Sequence, residues 1–277
     1  MLSPLHRQNR LSQVWRVVYP CGIHFLISQI VANVGLAVIL KGMGGTMDDF
    51  NSHTIFLTGI TALLTMIPCL YFYKKDVRAR VMGGLIPKAG GRRLKAGEGL
   101  WLLLIGASLA TFANMLVAAL QNILPVREYQ ETMNQITSGK SIWMLVFWMG
   151  IVAPVAEEMV FRWLIYFRFR DYMRMGMAMA VSGILFGIYH MNLTQAVYAS
   201  ILGMMFAYFL EITGNLWASV LLHIGANCWS VLMPEILLSI PEKIYVPAVL
   251  TIEKILLFGL ITGCSYFYKH KVRQRTL

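Results

Sequence analysis

Apolar residues in this chain come in long stretches divided by short polar or basic segments. Eight such stretches stand out, at about residues 17–40, 53–73, 99–122, 142–167, 175–191, 194–212, 215–233 and 245–268. An α-helix needs about 20 apolar residues to cross the hydrocarbon core of a bilayer. The fifth stretch is short and the turn to the sixth is tight, so one of that pair is expected to be a broken or partial crossing. The pattern predicts an all-α fold, a polytopic transmembrane helical bundle of about eight spans, with residues 1–277 forming a single integral membrane domain.

Composition agrees. Hydrophobic residues make up 57% of the chain, its mean hydropathy is +0.62, and only 13% of residues are charged. A soluble domain carries about twice that charge. The net charge of +11 does not signal nucleic-acid binding, because no soluble basic domain exists to carry it. The positive charges alternate between loops instead. Eighteen basic residues fall in the N-terminal segment (Arg7, Arg10, Arg16), the 74–98 loop, the 168–174 turn and the C-terminal tail, against four (Lys41, Arg127, Lys140, Lys243) on the opposite side. By the positive-inside rule this makes a multi-pass cell-membrane protein with both termini cytoplasmic. The 74–98 loop, with Gly83-Gly84 and Gly90-Gly91, is expected to be a flexible cytoplasmic connector beside anionic lipid. The 123–140 segment reads as an external polar loop with room for an amphipathic helix. The basic start followed by an apolar run reads as an uncleaved first span. Cys21, Cys69, Cys228 and Cys264 lie in apolar stretches without a Cys-x-x-Cys spacing, which argues against a disulfide framework or thiolate zinc site.

Against this background Glu157-Glu158-Met-Val-Phe-Arg162 is anomalous. An ionised side chain at the bilayer centre costs roughly 2.5–3.5 kcal/mol on insertion scales. Glu158 and Arg162 are four residues apart with the acid first, the favourable order for a pair on one helix face. Glu157 projects about 100° away, so Glu158 is expected to be committed to Arg162 and Glu157 left free. Pro154 lies three residues earlier, and its ring clashes with the turn at Gly150, which would widen or kink the helix there. The fifth stretch ends in Phe186-x-x-x-His190, above a Gly183/Gly187 stripe that permits close helix contact. The seventh carries His223-x-x-x-Asn227, two donors on one face that can hold an oxyanion. Each motif alone also suits plain helix packing; together they put acid, base and donors on three spans. His24, Glu211 and Lys254 receive no catalytic role.

The three motifs, in this order and at these separations, resemble the CPBP family of CAAX-type prenyl-protein endopeptidases and bacteriocin-processing or immunity proteins, also called Abi proteins. The resemblance covers about residues 140–230, the expected catalytic core. It implies an all-helical intramembrane endopeptidase that opens toward the cytoplasm, with site residues Glu157, Glu158, Arg162, Phe186, His190, His223 and Asn227.

Peptide hydrolysis needs an activated water, a polarised carbonyl and a proton for the leaving amine. The preferred assignment makes Glu157 the general base, His190 a partner that positions the water, and His223 with Asn227 the oxyanion site; Glu158, Arg162 and Phe186 support it. No cofactor is required. A zinc version competes, with Glu157, His190 and His223 as ligands, although the helical His-Glu-x-x-His motif is absent. The expected partners are a membrane-associated peptide or protein substrate and the bilayer itself. Two other classes remain open, a non-catalytic immunity or scaffold protein and an ion-coupled transporter, the latter lacking the paired broken helices of such folds. Depth poses a test. At 1.5 Å per residue, His223 lies about 12 Å from the basic end of its span and His190 about 24 Å from Arg174. A shared site requires the two imidazoles within about 12 Å of each other.

Overall fold

The apolar stretches all become helices in the computed structural model, which describes residues 9–83 and 93–275. In chain order they are α1 (Arg10–Ala37, continued by a π-helical turn, Val38–Gly42), α2 (Met47–Ser52), α3 (Thr54–Met82), α4 (Ala96–Ala119), α5 (Val126–Thr137), α6 (Ile142–Arg170), α7 (Met175–Tyr189), α8 (Leu193–Thr213), α9 (Leu216–Ser239) and α10 (Tyr245–Arg275). Among the described residues there is no strand. Among the described residues seven helices are long and apolar enough to cross a membrane: α1, α3, α4, α6, α8, α9, and α10 with the short turn before it. The shorter apolar helix is α7, with 15 residues. The bundle is a polytopic membrane fold of about eight spans. Its outer helices turn large apolar side chains such as Phe25, Leu26, Phe258 and Ile261 outward, the surface that lipid requires.

α6 is the central strut, and its residues from Met159 to Tyr166 are all buried. α4 and α9 pack backbone to backbone. A Cβ on Gly106 would collide with the Leu222 carbonyl, and one on Gly225 with the Leu103 carbonyl. The α7–α8 hairpin is equally tight, since a Cβ on Gly187 would meet Ala196 O and Ser200. That close approach is what the Gly183/Gly187 stripe permits. Among the described residues all four cysteines are free thiols. The 123–140 segment contains the amphipathic helix α5.

The basic connector differs from its expected form. α3 continues to Met82, so Lys74–Arg80 are helical rather than loop, and α4 already begins at Ala96; residues 84–92, with Lys88, Arg92 and Gly90-Gly91, lie outside the described residues. The reason for the extension is an ion network that needs α3 at that depth. Fully buried Arg168 donates to Asp76 Oδ2 at 2.6 Å and to the Tyr19 hydroxyl at 2.6 Å. Arg80 grips Asp171 with two hydrogen bonds of 2.9 Å each. Arg16 reaches Asp171 Oδ2 at 2.8 Å. Arg170 and the Tyr166 hydroxyl both donate to Glu211 Oε1, at 2.6 Å each. Several arginines that read as topology signals therefore also clamp α1, α3, α6 and α8 together.

Removing one member of a buried, hydrogen-bonded ion pair typically costs about 3–5 kcal/mol, because the partner stays buried and unpaired. Arg168→Ala is therefore expected to lower the apparent melting temperature of the detergent-solubilised protein markedly. Lys75→Ala, on the exposed face of the same α3, is expected to stay within about 0.5 kcal/mol of wild type.

Candidate active site

The site starts from a break in regular helix. α6 is π-helical over Val146–Val152, α-helical over Ala153–Glu158, and π-helical again over Met159–Tyr166. Pro154 has no N–H to give back to the preceding turn, and the carbonyls released there find partners on α9. Asn227 Nδ2 donates to Met149 O at 3.0 Å, and the Cys228 thiol to Gly150 O at 3.5 Å. A Cβ on Gly150 would strike that sulfur. The widening expected from Pro154 is thus present, and α9 braces it.

Glu157 and Glu158 leave the helix in different directions and meet different surroundings. Glu158 is sealed from solvent. Its Oε1 lies 3.0 Å from Arg162 Nη1, the same-face pairing expected from the spacing. Arg162 is equally buried, and its guanidinium sits among aromatic faces, with Phe186 at 4.3 Å and Phe206 at 5.2 Å from the ring centroids. These cation–π contacts hold the charge where few polar atoms reach it. Glu157 keeps a quarter of its side chain exposed.

His223 joins the two acids, a contact the helical spacing does not reveal. Its Nδ1 lies 3.0 Å from Glu158 Oε1 and its Nε2 3.6 Å from Glu157 Oε2. Glu158 is paired with a guanidinium, so it accepts and Nδ1 carries the hydrogen. The ring is stacked on Phe206, centroids 4.7 Å apart, and edge-on to Phe186 at 5.6 Å. Asn215 caps the start of α9 by accepting from Trp217 N at 2.8 Å, which fixes the register that delivers His223 to this point.

His190 is the C-cap of α7, just past Tyr189. Met191 follows in the left-handed region, φ 56°, and Asn192 caps α8 through Gln195 N at 2.9 Å. This turn holds His190 at the hairpin apex. Its Nδ1 donates to Phe186 O at 2.8 Å, and its ring meets the Phe186 ring edge-on at 4.7 Å. Phe186 therefore touches both imidazoles, and their centroids lie no more than about 10 Å apart by the sum of the two ring distances. The difference in depth suggested by helix arithmetic does not separate them.

The structure thus gathers Glu157, Glu158, Arg162, Phe186, His190 and His223 around one aromatic platform. Asn227 stands slightly apart. One amide hydrogen serves Met149, and the side chain lines a cavity of about 730 Å³ beneath α5 that also includes Tyr129, Gln195, Tyr198 and Glu235. Tyr129 on α5 and Tyr198 on α8 share a hydrogen bond of 2.9 Å. This cavity lies at the end of the bundle with few basic residues. In the orientation expected from the positive-inside rule that is the outer end, opposite to the opening implied by the resemblance. Glu157 lines a separate cavity of about 80 Å³ together with His24, Ser28, Thr58 and Thr61. His24, assigned no catalytic role on sequence alone, borders this cavity; a lone histidine on an apolar first span carries no local signal of its neighbours.

The proposed zinc ligands do not form a set. Among the described residues no three His, Cys, Asp or Glu side chains are arranged to hold a metal ion. His190 gives Nδ1 to the Phe186 carbonyl, and His223 lies between the two carboxylates.

Residues 139–229 match the family model described as type II CAAX prenyl endopeptidase Rce1-like. A Bacillus subtilis (strain 168) protein named "Putative membrane peptidase YdiL" is 22% identical over 228 residues, which is 80% of this chain and 88% of that relative. No solved structure matches the chain. The matched segment holds all three motifs and the whole aromatic platform, and with the distant relative it supports the resemblance to the CPBP family.

Proposed function

We propose that this protein is an intramembrane endopeptidase that hydrolyses a peptide bond of a membrane-associated substrate, with Glu157 as the general base and no metal. The observation that carries this reading is the unequal fate of two adjacent carboxylates. Glu158 is sealed and neutralised by Arg162, whereas Glu157 is partly exposed, borders a polar cavity and faces His223 Nε2 at 3.6 Å. Such an acid has the access and the lone pair that a base needs. The family model's description supports the peptidase activity, and prenylated or leader-type peptides are the substrate classes this reading favours.

In the proposed reaction Glu157 takes a proton from water, and the hydroxide attacks the scissile carbonyl. His190 offers Nε2 to orient that water, since its Nδ1–H is already given to Phe186 O. Negative charge collects on the carbonyl oxygen. His223 can donate to it through Nε2 when the ring carries both protons, because Nδ1–H belongs to Glu158. The second amide hydrogen of Asn227 is a further donor toward the large cavity. The C–N bond then breaks, and protonated Glu157 returns its proton to the departing amine. Atoms and charge balance without a serine or cysteine nucleophile. The roughly 730 Å³ cavity that Asn227 lines is the space this reading gives to the peptide.

Glu157→Gln keeps the shape and removes the base. It is expected to lower cleavage by about 10²–10⁴-fold, the usual worth of general acid–base catalysis, without loss of folding. Peptidomics of cells expressing wild type or Glu157→Gln checks this; identical peptide sets, with full biological activity of the variant, would favour an immunity or scaffold role instead. Asn227→Ala is expected to reduce turnover by about 10²–10³-fold if its amide serves the oxyanion, read on purified protein with a cleavable peptide found that way. Chelation is expected to leave the purified enzyme active. Activity lost to the chelator and restored by zinc would overturn the metal-free mechanism.

A further inference from the structure

Five of the eight residues that line the small cavity beside Glu157 lie outside the segment that matches the family model. Its walls are His24 and Ser28 on α1, Thr58, Thr61 and Ala62 on α3, and Ala153, Ala156 and Glu157 on α6. It offers about 80 Å³, whereas a water molecule needs about 10–15 Å³ of such space and two to four polar partners. Three hydroxyls, an imidazole and a carboxylate border it. Apolar residues would serve better if this space only had to be packed against lipid-embedded helices.

The hydrogen-bond directions are fixed. Thr65 Oγ1 gives its one hydrogen to Thr61 O at 2.7 Å. It can therefore only accept from His24 Nδ1, 2.8 Å away. His24 is held as the Nδ1–H tautomer, which leaves Nε2 as a bare acceptor. Thr61 Oγ1 likewise donates to Leu57 O at 3.0 Å and has only lone pairs left. The ring is further steadied by Tyr189, centroids 5.4 Å apart, and lies within Coulombic reach of Glu157.

We propose that this cavity holds the hydrolytic water and that His24 is the residue that positions it, resting on the reading of Glu157 as general base. A water between them gives one hydrogen to Glu157 and the other to His24 Nε2 or Thr61 Oγ1, so in this arrangement His24 takes the place of His190, which does not border the cavity, as the residue that orients the water. Both hydrogens are then occupied, and a lone pair turns toward the open side of Glu157, where the carbonyl arrives. The proton leaves to Glu157 and returns to the amine as before; His24 neither gains nor loses one. The first span thereby supplies a part of the machinery that the three motifs lack.

The test uses full-length protein in lipid nanodiscs and a fluorogenic peptide carrying a farnesyl-cysteine near its C-terminus. His24→Leu is expected to lower kcat by up to about 10²-fold, the cost of misplacing a reacting group, with KM and melting temperature unchanged. His24→Gln, whose amide oxygen reaches the place of Nε2, is expected to recover most of the rate. Wild-type kcat in His24→Leu, or an equal loss in both variants together with a lower melting temperature, would overturn the proposal. Full turnover by Glu157→Gln would instead overturn the reading it rests on. A structure of the wild-type protein at a resolution that shows water provides a measure independent of any substrate. Ordered water within hydrogen-bond reach of both His24 Nε2 and Glu157 is expected, and a dry cavity would end the proposal whatever the activity.

Discussion

A single carboxylate oxygen, Glu158 Oε1, lies 3.0 Å from both Arg162 Nη1, an ion pair, and His223 Nδ1, a hydrogen bond, and the site is arranged around that point. No solvent reaches any of the three groups to a useful extent. A charge so placed is tolerated only when it is paired and held. Pairing Glu158 with Arg162 ties the acid within α6, and sharing it with His223 ties α6 to α9. Phe186 and Phe206 close over the guanidinium and bring α7 and α8 to the same place. With these contacts satisfied, Glu157 is the carboxylate left with solvent access.

The histidines of the site follow one rule. His223, His190 and His24 each commit Nδ1 to a fixed acceptor, respectively Glu158, the Phe186 carbonyl and the Thr65 hydroxyl. An imidazole anchored through one nitrogen has its tautomer and ring plane set, and the other nitrogen becomes a directed group. A bundle of sliding helices could not hold three such nitrogens in place through apolar contact alone. Hydrogen bonds to rigid backbone, to a sealed carboxylate and to a doubly engaged hydroxyl do so.

Irregular backbone is part of the same construction. The π-helical turns around Pro154 would strand carbonyls in a medium without water. Asn227 and Cys228 take up two of them from across the α6–α9 contact. Asn227 consequently serves the backbone with one amide hydrogen, and only the remainder of its side chain faces the large cavity. The Arg168–Asp76 and Arg80–Asp171 pairs at the other end of α6 fix the height of α3, the Arg168–Tyr19 and Arg16–Asp171 bonds fix that of α1, and those heights set His24 and Thr61 beside Glu157.

Hydrophobic run lengths by themselves determined the class of fold, the number of crossings and the short α7, because a bilayer imposes a length on every span. Helical periodicity determined that Glu158 and Arg162 would pair and that Glu157 would point elsewhere, since that geometry is local to one helix. The clustering of Glu, Phe-x-x-x-His and His-x-x-x-Asn marked the spans that meet. Spacing along the chain carried nothing about who lies opposite whom. Tertiary packing alone decided that His223 bridges both glutamates, that Asn227 first braces Met149, that Arg16, Arg80 and Arg168 pair with Asp76 and Asp171, and that His24 from the first span borders the same cavity as Glu157. The physical reason is range: burial length and helix phase act over a few turns of one segment, whereas hydrogen bonds across a bundle depend on the depth and rotation that every neighbouring helix imposes.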